Sequence, residues 1–194
     1  MSMKLGVVLL AAGKSTRFGA NKLLAGFCGR PMVCYSLEAA AALKPARTAV
    51  VTGCGEVARL AERYGCEVIV NDAPQMGQSH SICLGVRAMH DMDAVLLMVC
   101  DQPRLTGASL ERLVQDFMRS EKGIACLRDG THQGNPAVFS RRYFDALLAL
   151  EGDRGAKGIL RAHEDDLLVV DTVGPDELAD ADTPDTLEAM RRQE

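Results

Sequence analysis

Short runs that are apolar on every residue recur along this chain, separated by stretches whose apolar residues fall three and four apart. No other feature constrains the fold as strongly, because a strand apolar throughout must be covered on both faces. Leu5 to Leu10 is the first such run. Thr48 to Thr52, Val68 to Val70, Ala94 to Cys100, Ile124 to Leu127, Ala137 to Phe139 and Leu167 to Val170 are further strand candidates. Between them, Pro31 to Leu43, Val57 to Tyr64, Gln78 to Met89, Leu110 to Met118, Tyr143 to Leu150 and Thr183 to Arg192 carry helical spacing, and Thr106 or Ser109 can cap the fourth. Strands alternating with helices imply βαβ crossovers, hence an α/β fold of three layers around a mainly parallel sheet. In such sheets ligands bind beyond the carboxyl ends of the strands.

No repeat or linker divides the 194 residues, so one domain spanning 1–194 is expected. A net charge of −4 argues against a nucleic-acid partner, which calls for a basic face. The seven cysteines form no C-x-x-C pair and read as reduced thiols of a cytoplasmic protein. One lysine before a six-residue apolar stretch is too little for a signal peptide, and no run reaches the ~18 apolar residues of a membrane span.

The residues that end strands therefore carry the most information. Leu10 is followed by Ala11-Ala12-Gly13-Lys14-Ser15-Thr16-Arg17-Phe18-Gly19, and Lys22 lies three positions further on. Small residues let backbone amides approach an anion closely, and Lys14, Arg17 and Lys22 supply fixed positive charge. A nucleoside triphosphate needs both. Two commoner phosphate loops fail here. G-x-G-x-x-G requires glycine where Ala11 or Ser15 stands, and the Walker loop matches at Gly13-Lys14-Ser15 but has Val8 in place of its first glycine. A P-loop NTPase is the weaker alternative on spacing, and a plain strand-to-helix turn with solvated lysines is the bland one.

Asp101 ends the most apolar strand, ahead of Gln102-Pro103. There it is either a hard oxygen ligand for Mg²⁺ beside a triphosphate or the start of an Asx turn. Asp182, in Asp180-Ala181-Asp182-Thr183-Pro184, is either a second carboxylate for the metal or a helix cap. The polar segment Asn71 to Ser81, with Gly77 and Ser79, opens a helix after a strand; it is a candidate for base or ribose binding, or a surface loop. The four histidines show no metal-ligand spacing.

Taken together, these residues resemble the MobA-like nucleotidyltransferases. The likeness runs from Ala11-Ala12-Gly13-x-Ser15-x-Arg17-Phe18-Gly19-x-x-Lys22 through Asn71, Gly77 and Ser81. It continues in Asp101-Gln102-Pro103, Gly134-Asn135-Pro136, Gly152-Asp153-Arg154-Gly155-Ala156 and Asp180-x-Asp182-Thr183-Pro184. Ala12 and Asn21 are similar to the branch that contains molybdenum cofactor cytidylyltransferase. The resemblance implies a Rossmann-like nucleotide-diphospho-sugar transferase fold with a mixed, mainly parallel sheet. It also implies attack by a terminal phosphate of molybdopterin on the α-phosphate of CTP, with release of pyrophosphate. Gly13, Arg17 and Lys22 are then expected to hold the triphosphate, and Asp101 with Asp182 or Asp180 to hold Mg²⁺. Arg154, Lys157 and His132 are candidates to meet the anionic acceptor.

Three functions follow as expectations. The first is cytidylyl transfer to molybdopterin. The second is guanylyl transfer from GTP to the same acceptor, or nucleotidyl transfer to another small phosphate. The third is a non-catalytic factor that hands cofactor to a molybdenum hydroxylase apoenzyme. An intact set of Lys22, Asp101 and Asp182 favours catalysis, which needs a metal site where a carrier does not.

Overall fold

The computed structural model of the protein describes residues 3–13, 18–19 and 21–192. The strands are β1 (Leu5–Leu10), β2 (Gly26–Phe27), β3 (Arg30–Pro31), β4 (Arg47–Thr52), β5 (Glu67–Val70), β6 (Ala94–Val99), β7 (Ile124–Asp129), β8 (His132–Ser140) and β9 (Leu167–Asp171). Helices α1 (Val33–Ala42), α2 (Gly55–Arg63), α3 (Gln78–Ala88), α4 (Gly107–Arg119), α5 (Phe144–Leu148), α6 (Lys157–Ala162) and α7 (Pro184–Arg191) connect and cover them. Seven strands form one sheet in the order β5-β4-β1-β6-β8-β7-β9, and β2 pairs β3 in a separate hairpin.

Side chains of β1 alternate between the two faces. Val7 and Leu9 join a core with residues of α1, α2, α4 and α7, whereas Val8 and Leu10 join a second core with α3, α5 and α6. Leu96, Leu97 and Met98 of β6 are likewise fully buried, to opposite faces in turn. Each such side chain contributes about 1.5–3 kcal/mol by leaving water, which is why the apolar runs lie at the sheet centre. Crossovers of parallel strands place helices on both faces, giving the three layers expected from the sequence.

Among the described strands of the seven-stranded sheet, β8 alone runs against its neighbours. The turn Gly130-Thr131 joins it to β7, and a connection that short can only reverse the chain. Gly130 takes φ +57, which glycine tolerates. β8 is longer than the Ala137-to-Phe139 segment expected, because its polar first half pairs with β7 as well. β5 departs from the fully buried strand expected: it is an edge, and Val70 is 69% exposed. Helix α6 and the β2–β3 hairpin are too short to leave a periodic signature. All seven cysteines are free thiols, and no described helix is long and apolar enough to cross a membrane.

Candidate active site

Parallel pairing in register sets Leu10 of β1 opposite Val99 of β6, so the residues that follow them emerge side by side. Ala11 stays fastened to the sheet. Its amide donates to the Val51 carbonyl at 2.8 Å, and its carbonyl accepts from the Thr52 hydroxyl at 3.1 Å. Ala12 and Gly13 then turn along a cavity of about 590 Å³, whose far side carries Cys100 and Asp101. A Cβ on Gly13 meets nothing within 4 Å, so the backbone there is open to close approach by a ligand.

Lys22 enters from a single 3₁₀ turn, Lys22–Leu24. The Asn21 side chain caps it by accepting from the Leu23 amide at 3.1 Å, and buried Leu23 pins it to the core. The Lys22 ammonium donates to Asp101 Oδ2 at 2.6 Å and to Asp182 Oδ1 at 2.8 Å. Asp182 is free for this contact because α7 is capped by its neighbour: the Thr183 hydroxyl accepts from the Thr186 amide at 3.1 Å, and the Thr186 hydroxyl takes the Thr183 amide at 3.0 Å. Of the two readings of Asp182, metal carboxylate or helix cap, the geometry gives the cap to Thr183.

Burial by itself lowers the Lys22 value, but the charge and hydrogen bond of Asp101, then those of Asp182, override it and hold Lys22 above the usual lysine range. Asp180 is pushed up by burial and then by the Asp101 and Asp182 charges; a Gln102 hydrogen bond and Lys22 offset only part of this. Asp180 does not meet Lys22. It accepts from Gln102 Nε2 at 3.0 Å and faces the second cavity described below.

The carboxylates fit a hard divalent cation. Among the described residues, Asp101 Oδ1 is buried with no hydrogen-bond partner, which leaves its lone pairs unspent. Among the described residues no three acidic, histidine or cysteine side chains converge into a closed cage. One or two carboxylates completed by substrate phosphates and water are what Mg²⁺ ordinarily takes. Cys100 beside them is no nucleophile: burial, then the Asp101 charge, push its thiol far up and keep it protonated.

The polar segment after β5 divides into a lining part and a supporting part. Gly77 and Ser81 line the cavity with Gln78. Asn71 and Ser79, expected to touch nucleotide, are buried and committed elsewhere. Asn71 donates to the Ser81 hydroxyl at 2.9 Å and accepts from the Ala73 amide at 3.0 Å; Ser79 donates to the Gly152 carbonyl at 2.6 Å. In this structure these hydrogen bonds brace the cavity wall. Gly77, at φ +86, lies so close to this second segment that a Cβ would fall 2.5 Å from the Gly152 oxygen. The Asp153 carboxylate accepts from the Gln78 amide at 3.3 Å.

A second cavity, of about 620 Å³, adjoins the first and shares Gln78, Val99 and Asp101 with it. Lys157, Arg161, His132 and Gln133 give it a polar, cationic side, and Leu97, Leu160 and Leu178 an apolar one. Asn135 stands at its edge and accepts from the Val99 amide at 2.8 Å. Lys14, Ser15 and Arg17 lie outside the described residues; Gly19 is described, with φ +72. The structure therefore unites Ala12, Gly13, Lys22, Gly77, Ser81, Asp101 and Asp182, and adds Gln78, Gly152 and Asp153.

Residues 7–167 match the MobA-like NTP transferase domain. The purine catabolism protein PucB of Bacillus subtilis is 30% identical, with 95% of each chain covered. A probable molybdenum cofactor guanylyltransferase of Pyrococcus horikoshii is 28% identical over 80% of this chain and 78% of its own. The bifunctional protein GlmU of Rhodospirillum rubrum is 34% identical over 61% of this chain, a match that spans only 27% of GlmU. Among solved structures, Rv0371c of Mycobacterium tuberculosis superposes with TM-score 0.80 at 25% identity, covering 99% of this chain and all of that one. A manganese complex of Rv0371c has the same fold, with TM-score 0.77 at 23% identity and full coverage of both chains. The chain belongs to the family of the MobA-like NTP transferase domain.

Proposed function

We propose that this protein is a Mg²⁺-dependent nucleotidyltransferase that moves CMP from CTP to a terminal phosphate of a molybdopterin-type acceptor. The observation that carries this reading is the meeting of two cavities of similar size at one carboxylate, Asp101. The first takes the nucleotide, with Ala12 and Gly13 offering open backbone and Lys22 offering charge. The second takes the acceptor, with Lys157, Arg161 and His132 facing its anionic groups and the leucines facing its ring system.

The acceptor phosphate oxygen forms a bond to the α-phosphorus, the bond from that phosphorus to the bridging oxygen breaks, and pyrophosphate leaves. In-line displacement of this kind depends on positioning and charge neutralisation, with no covalent catalyst. Asp101 and Asp182 would hold Mg²⁺, which when bound supplies charge neutralisation for the phosphates. Lys22 presents its ammonium at the same place, and Arg17 is assigned the triphosphate. Ala12 on the donor cavity and the resemblance to the cytidylyl branch support CTP; the name of the Pyrococcus relative favours GTP as the second reading.

Pyrophosphate release from CTP and from GTP, each with Mg²⁺ and molybdopterin, separates these readings. Release with CTP alone supports the assignment, and release with GTP alone transfers it to the guanylyl branch with the same site. No release with either, but retained nucleotide binding by calorimetry, overturns transfer to molybdopterin in favour of another acceptor or of a carrier serving a molybdenum hydroxylase apoenzyme.

A further inference from the structure

Glu177 is a charged side chain with only 2% of its surface exposed, it makes no ion pair among the described residues, and it belongs to no motif of the chain. Its carboxylate instead collects four neutral donors. Oε2 accepts from the Thr106 amide at 3.0 Å and the Thr106 hydroxyl at 2.9 Å; Oε1 accepts from the Ser109 hydroxyl at 2.9 Å and the Gly174 amide at 2.6 Å. Thr106 and Ser109 open α4, whose amino end favours a negative charge. A buried carboxylate survives only when its lone pairs are met in this way.

What the carboxylate fastens is the crossing from β9 to α7. That segment starts with Val173, whose amide donates to the same Ser109 hydroxyl at 2.8 Å. Past Glu177, the Leu178 carbonyl accepts from Gln102 Nε2 at 3.2 Å, and the Ala181 amide donates to the Asp101 carbonyl at 2.9 Å. Asp182 comes next, half exposed, and its carboxylate accepts from the Lys22 ammonium. The segment is thus tied at Glu177 and at Asp101, and Asp182 projects just past the second tie.

We propose that Glu177 is the positioning residue for Asp182: by locking the Gly174–Asp182 crossing onto the start of α4, it sets the distance between the two carboxylates that hold the metal. This rests on the assignment of Asp101 and Asp182 to a divalent cation. Groups behind metal ligands typically change affinity about 10–100-fold when removed.

The test is Mn²⁺ affinity, followed by electron paramagnetic resonance with a non-hydrolysable CTP analogue present. It is measured for wild type, Glu177→Gln, Ser109→Ala, Asp182→Asn and the Glu177→Gln/Asp182→Asn double variant, at a temperature where circular dichroism shows each folded. Glu177→Gln, which sets an amide NH₂ against two donors, is expected to weaken Mn²⁺ about tenfold. Ser109→Ala, which removes one donor to Glu177 and the acceptor of the Val173 amide, is expected to weaken it less. The double variant should bind no more weakly than Asp182→Asn, because both changes act on one ligand. Hydrogen exchange of amides 174–182 should quicken in Glu177→Gln. Unchanged Mn²⁺ affinity in both Glu177→Gln and Ser109→Ala overturns the proposal, as do additive losses in the double variant. Unchanged affinity in Asp182→Asn itself overturns the metal assignment beneath it, which sets that failure apart.

Discussion

The Lys22 ammonium donates to Asp101 at 2.6 Å across 79 residues of sequence, in the place where a divalent cation would satisfy the same carboxylate. The lysine thus offsets one of the two negative charges of Asp101 and Asp182. Lys22→Met keeps most of the stem and removes the charge, leaving two carboxylates facing each other. Its melting temperature should rise more with added Mg²⁺ than that of wild type, because Mg²⁺ then replaces a missing charge instead of displacing one. Its kcat/KM should fall by about 10²–10³, the usual cost of losing a charge-stabilising group. Equal Mg²⁺ responses in a thermal-shift titration would place the cation elsewhere.

Asp101→Asn removes the charge but keeps the shape. The buried, unpartnered Oδ1 becomes an amide atom that holds a hard cation poorly. Turnover with Mg²⁺ should drop by at least about 100-fold, and far-ultraviolet circular dichroism should not change. Asp182→Asn should cost less, since its side chain is 50% exposed against 20% for Asp101 and water can take its place. Near-normal turnover in Asp101→Asn would remove it from the metal.

How much of this is legible in the sequence depends on whether the cause is local. The strands β1 and β6 announce themselves because both faces are covered, which favours a continuous run without polar side chains. The first half of β8 does not: His132, Gln133 and Asn135 are polar because they border the second cavity, and polarity there imitates a loop. Lys22 and Asp101 can be found from strand ends alone. The contact of Asp182 with Lys22 cannot, because its partner lies 160 residues away. Asn71 and Ser79 look like ligand groups in sequence, and only burial shows that their hydrogen bonds are spent on the wall. Glu177 carries no local signal, since its four donors come from two separate segments.

Gly77 tests that wall. At φ +86 any side chain is strained, and a Cβ would strike the Gly152 carbonyl group and Asp153 Cα, all backbone atoms with no easy retreat. Gly77→Ala should therefore push the Gly152-Asp153 segment away and open the donor cavity on the Gln78 side. The expected result is a KM for nucleotide raised about tenfold or more with a smaller change in kcat, because uniform binding is lost and not transition-state contact. Steady-state kinetics over a nucleotide series decides this, and an unchanged KM would mean that the base does not rest on this wall.

Asp166 lies away from the cavities' shared carboxylate and probes the sheet margin instead. It accepts from the Tyr143 hydroxyl at 2.5 Å, from Arg142 at 2.5 and 2.6 Å and from the Gly123 amide at 3.0 Å, joining the start of β7, the end of β8 and the start of β9. Burial alone raises its carboxyl, but the hydrogen bonds from Tyr143, Gly123 and Arg142 outweigh this and hold it below the ordinary aspartate value. A carboxyl depressed in the folded state stabilises above its unfolded value, about 3.9, and loses that contribution as pH falls through the lower folded value. The side chain is 22% exposed, so solvent screens part of the effect and about 1 kcal/mol is a fair size for it at neutral pH. Asp166→Asn should then melt about 2–4 °C lower at pH 7. That gap should shrink below about pH 4, where the unfolded chain begins to take up the proton that the folded carboxyl still resists. A gap that stays constant from pH 7 to pH 3 would show that the amide's hydrogen bonds, and not the aspartate's charge, account for the difference.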